Sequence, residues 1–126
     1  MKAPAVLVGL ADGGRMILPG KVYHGTDAES AEKIRQWGLN QKAWRAAAGA
    51  GGVDPKGFSV TPDRATAERW ARIRAAQRGG PPEGAVVEAN AADLPLRSGG
   101  PGEWTDPDEL FIAPEDFPLV GPGVFR

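Results

Sequence analysis

The chain has 126 residues, 15 of them basic and 16 acidic, and a formal net charge of −1. Its length is typical of one domain, and its balanced charge gives no global attraction to nucleic acid or to a membrane surface. The sequence has no cysteine and one histidine, which excludes disulfides and thiolate chemistry and disfavours a zinc site. No apolar run reaches the ~20 residues of a membrane span, and the run at 5–10 is too short for a signal peptide.

The N-terminal part of the chain predicts three short strands, because three apolar runs are separated by glycine- and proline-rich turns. The runs cover residues 5–10, 15–18 and 21–24, and the first two predict a hairpin. The third run ends at a strand-to-turn corner that holds the only histidine, His24. Gly25 predicts a bend where backbone can approach a ligand closely. From this segment alone, His24 is either a structural residue that closes the turn or part of a small-molecule site.

Two helices are predicted further along the chain. The first begins at Thr26 or Asp27, since Thr26 and Glu29 fit a capping box, and it ends near Trp37 before Gly38. The second follows Thr61, which is predicted as its N-cap with Pro62 at the first helical position. Its outward arginines form a basic face that is either simply solvated or a contact for an acidic partner.

Three more strands are predicted at residues 57–61, 84–89 and 109–113, and residues 94–108 are predicted to be a loop. Short final pairings are expected at residues 119–120 and 124–125. The glycine-rich connection 40–57 does not match a phosphate-binding P-loop, because no Gly-Lys-Ser/Thr follows it. Since strands and helices do not alternate regularly, we expect a single α+β domain over residues 1–126 with a twisted, antiparallel or mixed sheet.

Three separated pieces of sequence carry the functional signal. They are His24-Gly25-Thr26 before a helix, Gly57-Phe58-Ser59-Val60-Thr61 before a helix, and Glu109-Leu110-Phe111-Ile112 in a late strand. In order and context they resemble the ADP-ribosyltransferase superfamily, in the branch of diphtheria-type toxins and poly-ADP-ribose polymerases that carries a His, Tyr and Glu triad. Ala67-Glu68-Arg69-Trp70-Ala71 is similar to the Ala-x-x-Trp-Ala segment of that family. The resemblance covers about residues 21–120 and implies a split β-sheet core with two main helices.

The resemblance implies NAD as the substrate and no metal. The reaction breaks the bond between nicotinamide and ribose through an oxocarbenium-like transition state. Glu109 would hold the ribose 2′-OH and stabilise the positive charge, and it could orient or deprotonate a nucleophile. His24 would bind a ribose hydroxyl as a positioning group, and the backbone of Gly25 would bind the nicotinamide carboxamide. Thr26 would either assist there or only cap the helix.

Ser59 departs from the family pattern, because most members of this branch carry a tyrosine that stacks on nicotinamide. A serine can form a hydrogen bond but cannot stack. Its neighbour Phe58 is expected on the opposite sheet face, in the core. Another aromatic residue, Tyr23 or Trp44, could cover the nicotinamide ring instead.

The resemblance also bears on the acceptor of ADP-ribose. Arginine-specific relatives carry Gln or Glu two residues before the catalytic Glu, where this chain has Pro107, so modification of arginine is disfavoured. The loop from Arg97 to Asp108 stands where the family has its target-recognition loop. Trp104 in this loop could pack on a protein or nucleobase acceptor, or it could anchor the loop on the core. The stretch 46–57 corresponds to the family's loop over NAD.

We therefore expect an NAD-dependent mono-ADP-ribosyltransferase with a protein or nucleic-acid acceptor. Compact members of the family are often bacterial toxins or effectors, which implies an immunity or antitoxin protein as a partner and a location in the cytoplasm or in a target cell. One alternative is an NAD glycohydrolase, with water as the acceptor. Another is a non-catalytic NAD-binding, ADP-ribose-binding or protein-interaction module, which Ser59 supports. An unrelated α+β interaction domain also remains open, whereas the single histidine disfavours an RNA 2′-phosphotransferase.

Overall fold

A computed structural model describes residues 15–16, 20–42, 57–98 and 110–126 of the chain, with side chains described for all of these except 15, 16 and 98. The predicted strand at 5–10 and its hairpin, the glycine-rich stretch 46–56, Trp44, Trp104, Pro107 and Glu109 lie outside the described residues. The described residues form both helices and antiparallel sheets, so the predicted α+β class is confirmed. In chain order the elements are β1 (Arg15–Met16), β2 (Lys21–Thr26), α1 (Ala28–Trp37), β3 (Phe58–Val60), α2 (Arg64–Arg78), β4 (Ala85–Asn90), β5 (Leu96–Ser98) and β6 (Leu110–Ile112).

The strands form two small antiparallel sheets. One has four strands in the order β1-β5-β6-β3, and the other pairs β2 with β4. The two sheets meet at one place, where Tyr23 of β2 and Thr61 exchange backbone hydrogen bonds of 2.8 and 2.9 Å. Beyond this bridge β2 has no strand pairing with β3 among the described residues. The sheets are therefore joined at one point and split on the side of His24.

Strand β5 corrects the prediction of a loop over residues 94–108. It pairs with β1 on one edge and with β6 on the other, and Leu96 is completely buried. The strand signal is weak at this place, because Pro95 and Arg97 flank the single inward-facing leucine. Pairing with two neighbouring strands outweighs this poor local pattern.

Helix α1 begins one residue later than a capping box at Thr26 requires. Asp27 is the N-cap, and its carboxylate accepts a hydrogen bond from the backbone N–H of Ser30 at 3.2 Å. Thr26 is the last residue of β2, and its hydroxyl donates to Asp27 at 3.1 Å. The predicted end of the helix is confirmed, since Gly38 takes the positive φ of 75° that glycine tolerates best.

The prediction of Thr61 as the N-cap of α2 is wrong. Thr61 is held in the bridge to Tyr23, so the chain leaves the sheet two residues later and Asp63 becomes the N-cap. Its carboxylate accepts from the N–H of Ala65 at 3.3 Å and from the hydroxyl of Thr66 at 2.7 Å. Thr61 instead accepts a hydrogen bond from the N–H of Asp63 at 3.1 Å.

The core cluster combines buried side chains from both sheets, from helix α1 and from the C-terminal segment. These include Val60, Val87, Leu96, Ile112, Phe117 and Phe125. The expected strand at residues 119–120 is wrong, because Pro114–Leu119 forms a 3-10 helix. The final residue, Arg126, does pair with β4, through two backbone hydrogen bonds to Glu88 of 2.8 and 2.9 Å. No helix in the described part of the chain has the length and apolarity needed to cross a membrane.

Candidate site at the split between the sheets

His24 and Gly25 lie inside a strand, not at the bend that the sequence predicts. Strand β2 continues to Thr26 because its far edge is paired with β4 over its whole length, from Lys21–Asn90 to Thr26–Ala85. In an antiparallel ladder, hydrogen-bonded pairs recur every two residues. The pair after Tyr23–Thr61 would therefore join Gly25 to Ser59. Instead, Nδ1 of His24 bonds the carbonyl oxygen of Ser59, so the imidazole takes the place of a ladder hydrogen bond.

The His24 ring is enclosed and electrically neutral. It is 6% exposed and stacks on Phe58, with ring centroids 3.9 Å apart and planes inclined by 25°. Burial and the positive charges of Arg74 and Arg78 lower the pKa of His24 from 6.5 to about 3, although the bond to Ser59 acts in the opposite direction. Because a carbonyl only accepts, Nδ1 carries the proton. Nε2 is then the acceptor of the ring, and it has no hydrogen-bond partner among the described residues.

Gly25 is required by close packing on the opposite face of β2. A Cβ atom at this position would collide with the carbonyl oxygen of Ala67 and the backbone nitrogen of Ala71, both in α2. The carbonyl oxygen of Gly25 also accepts a hydrogen bond of 3.0 Å from Nη1 of Arg74. The carbonyl that the resemblance assigns to the nicotinamide carboxamide therefore already has a partner within the protein.

We expect Gly25→Ala to lower the free energy of unfolding by about 3 kcal/mol or more, since the added methyl group meets backbone that cannot rotate away. Gly121→Ala is the matched control, because a Cβ at Gly121 meets no atom within 4 Å. That control should change stability by less than about 0.5 kcal/mol. Chemical denaturation of both variants measures the difference, and equal stability of the two would show that α2 does not pack closely on β2.

Thr26 and Asp27 belong to a buried network at the start of α1. Thr26 is 1% exposed, and Arg78 reaches both residues, at 3.4 Å to the Thr26 hydroxyl and 3.3 Å to the Asp27 carboxylate. Burial raises the pKa of Asp27, but hydrogen bonds from Ser30, Arg78 and Thr26 outweigh it and hold the pKa below its ordinary value. The contacts of Thr26 thus support the helix start.

Tyr23 forms the bridge with Thr61, and Ser59 lies two residues before Thr61 in the chain. Successive side chains of a strand point to opposite faces, so Tyr23 lies on the α2 face of β2 and His24 on the other. The guanidinium carbon of Arg64 is 5.7 Å from the centre of the Tyr23 ring. Ser59 is buried in β3 opposite Phe111 of β6. Phe58 is buried in the core, as predicted.

Arg97 lies in β5 and points toward the 3-10 helix at Pro114–Leu119. Its guanidinium is 3.1 Å from the carboxylate of Asp116 and 3.4 Å from that of Glu115. Its buried Nε has no partner among the described residues. Arg97, predicted to contact the acceptor, therefore joins β5 to the C-terminal segment.

Arg74 is the site residue that the sequence interpretation missed. It falls on the same helix face as Ala67 and Ala71, whereas the other arginines of α2 except Arg78 point outward. An arginine on a buried helix face needs acceptors, because a charge without partners is costly there. The position of Arg74 on this face was the signal in the sequence. One acceptor of Arg74 is the carbonyl oxygen of Gly25.

The described residues include no group of three or more His, Cys, Asp or Glu side chains that could hold a metal ion. No protein-family model, no curated protein and no solved structure matches the chain. The chemistry of the site must therefore be inferred from its own residues.

Proposed function

We propose that the chain is an NAD-dependent mono-ADP-ribosyltransferase of the toxin or effector type, with an ADP-ribosyltransferase-like split sheet. It transfers ADP-ribose from NAD to a macromolecular acceptor and releases nicotinamide. One observation carries the proposal: the three sequence pieces that resemble this superfamily belong to neighbouring strands. Tyr23 of β2 is bonded to Thr61 after β3, and Val60 of β3 is paired with Leu110 of β6.

The neutral state of His24 suits the positioning role. A neutral imidazole with its proton on Nδ1, bonded to Ser59, offers Nε2 as an acceptor for a ribose hydroxyl. The bond to Ser59 and the stacking on Phe58 fix the ring before the substrate arrives, and such preorganisation is a source of rate. Glu109, which directly precedes β6 in the sequence, would provide the carboxylate beneath the ribose.

A second candidate function is a non-catalytic NAD- or ADP-ribose-binding module. It is favoured by Ser59, which is buried and cannot stack on nicotinamide, and by the carbonyl of Gly25, which is bonded to Arg74. Both features remove interactions that catalytic relatives would use.

Nicotinamide release from NAD by the purified chain, without and with cell lysate, tests the proposal. NAD labelled in its adenosine half shows at the same time where ADP-ribose goes. Release that depends on lysate, with label on a macromolecule, is the result expected of a transferase. Release without lysate and without transfer of label would make the chain a glycohydrolase. No release despite NAD binding would favour the binding module, and no binding would overturn the family assignment.

A further inference from the structure

A row of three aromatic rings links His24 to the C-terminal segment. The imidazole of His24 stacks on the ring of Phe58, with centroids 3.9 Å apart. The ring of Phe58 in turn meets the ring of Phe125 in an edge contact, with centroids 5.4 Å apart and planes inclined by 60°. Both phenylalanines are buried. Stacked and edge contacts are the favoured arrangements of aromatic pairs, so each ring limits the orientation of the next.

The backbone places Phe125 on the face of the sheet that holds the imidazole. Arg126 and Glu88 of β4 exchange both of their backbone hydrogen bonds, of 2.8 and 2.9 Å. This exchange is that of an antiparallel pair, and it sets Phe125 beside Ala89. Ala89 is paired with Val22 of β2, two residues before the histidine, and alternate side chains of a strand share a face. The backbone pairing and the ring contacts therefore agree.

The backbone around Phe125 is anchored on both sides. The N–H of Gly123 donates to the carbonyl oxygen of Arg35 in α1 at 3.0 Å, and Arg126 is bonded to β4. Phe125 lies between these two anchors, so its ring is a fixed support for Phe58. Movement of this support would require the loss of backbone hydrogen bonds to a helix or to a strand.

We propose that Phe125 is a positioning residue for His24 and acts through Phe58. With Phe125 packed against it, Phe58 keeps its face toward the imidazole, and Nδ1 stays directed at the carbonyl oxygen of Ser59. Nε2 then points in one direction as the acceptor of the ring. The effect of this orientation on nicotinamide release rests on the proposed function, whereas the orientation itself does not.

Phe125→Leu tests the inference, because leucine fills much of the same space but has no ring to support Phe58. The control is Val120→Ala, which also removes buried apolar volume from the C-terminal segment but leaves the three rings in place. ¹⁵N NMR of labelled histidine reports which nitrogen carries the proton. We expect the Nδ1–H tautomer alone in the wild type and in Val120→Ala. Phe125→Leu should also show the Nε2–H tautomer, since an imidazole that turns away from its acceptor takes either form.

Nicotinamide release from NAD is the second measurement. We expect Phe125→Leu to lower kcat/KM about tenfold, because a small displacement of a positioning group reduces the rate. Val120→Ala should stay within about twofold of the wild type, since the same principle predicts no loss where the imidazole keeps its orientation.

An unchanged tautomer in folded Phe125→Leu would overturn the inference. So would the same change in Val120→Ala, since loss of core packing alone would then explain it, and so would an unchanged kcat/KM in Phe125→Leu beside an active wild type. If Phe125→Leu does not fold, the wild type decides. Nuclear Overhauser contacts should run from Phe125 to Phe58 and from Phe58 to His24, and their absence or a mixture of tautomers would overturn the inference.

The two proposals fail in different ways. A wild type that releases no nicotinamide, together with the expected tautomer change in Phe125→Leu, would reject the proposed function alone. Release by the wild type, together with an unchanged tautomer in Phe125→Leu, would reject the positioning role alone.

Discussion

Replacing Glu109 by Gln should reduce nicotinamide release from NAD by about 10²- to 10⁴-fold, the range in which positioned acid–base groups contribute to rate. Loss of the glycosidic bond leaves positive charge on the ribose. The carboxylate of Glu109 would stabilise that charge and hold the 2′-OH, whereas a neutral amide can only form a hydrogen bond. NAD binding should change far less than the rate, because the charge develops mainly in the transition state.

Glu83→Gln provides the matched control for Glu109→Gln. Glu83 is an exposed residue in the turn between α2 and β4, so its replacement changes the net charge by the same amount at the surface. The control should release nicotinamide at the wild-type rate. Equal rates for Glu109→Gln and the wild type, with both proteins folded, would remove Glu109 from the mechanism.

Lowering the pH below 6.5 should destabilise the protein through protonation of His24. The loss should begin while most carboxylates are still ionised. The pKa of His24 is lowered from 6.5 to about 3 by burial and by the nearby arginines. Between these two pH values His24 is protonated in the unfolded chain but not in the folded chain. The free energy of unfolding is therefore highest above pH 6.5 and decreases as the pH falls below that value. The slope is about 1.4 kcal/mol per pH unit, and the total loss by pH 3 is about 4 kcal/mol.

His24→Asn separates this effect from general acid denaturation. The amide nitrogen of asparagine can donate to the carbonyl of Ser59, as Nδ1 does, but the side chain does not titrate. The variant should have a lower free energy of unfolding at pH 8 and a much flatter pH dependence down to about pH 5, measured by denaturant titration. The same slope in both proteins would mean that His24 is not the group responsible.

Local sequence signals predicted most of the helices and strands but not how β2 and β3 separate. Gly38 marks the end of α1 because only glycine takes its positive φ easily. Thr61 was misassigned as a cap because its hydroxyl suits that role, while a backbone bridge to a strand 38 residues earlier in the chain holds it in the sheet. A contact between residues this far apart in the chain produces no pattern in the residues next to Thr61.

For the candidate site, too, the sequence predicted which residues come together but not how they pack. The motifs identified His24, Gly25 and Ser59 as neighbours, and the contacts of His24 with Ser59 join β2 to β3. Two features depend on packing between distant elements and were not visible. The imidazole replaces a ladder hydrogen bond, and Arg74 approaches Gly25 because α2 lies so close to β2 that no Cβ fits between them.

The most direct test of the proposed NAD site is ¹⁵N NMR of the imidazole during titration with NAD. The chain has one histidine, so labelling histidine gives one Nδ1 and one Nε2 resonance without assignment. We expect a protonated Nδ1 and an unprotonated Nε2 in the free protein at neutral pH. NAD should then shift the Nε2 resonance as a ribose hydroxyl donates to it, and leave Nδ1 bonded to Ser59. Unchanged resonances at saturating NAD would contradict the placement of the ribose at His24.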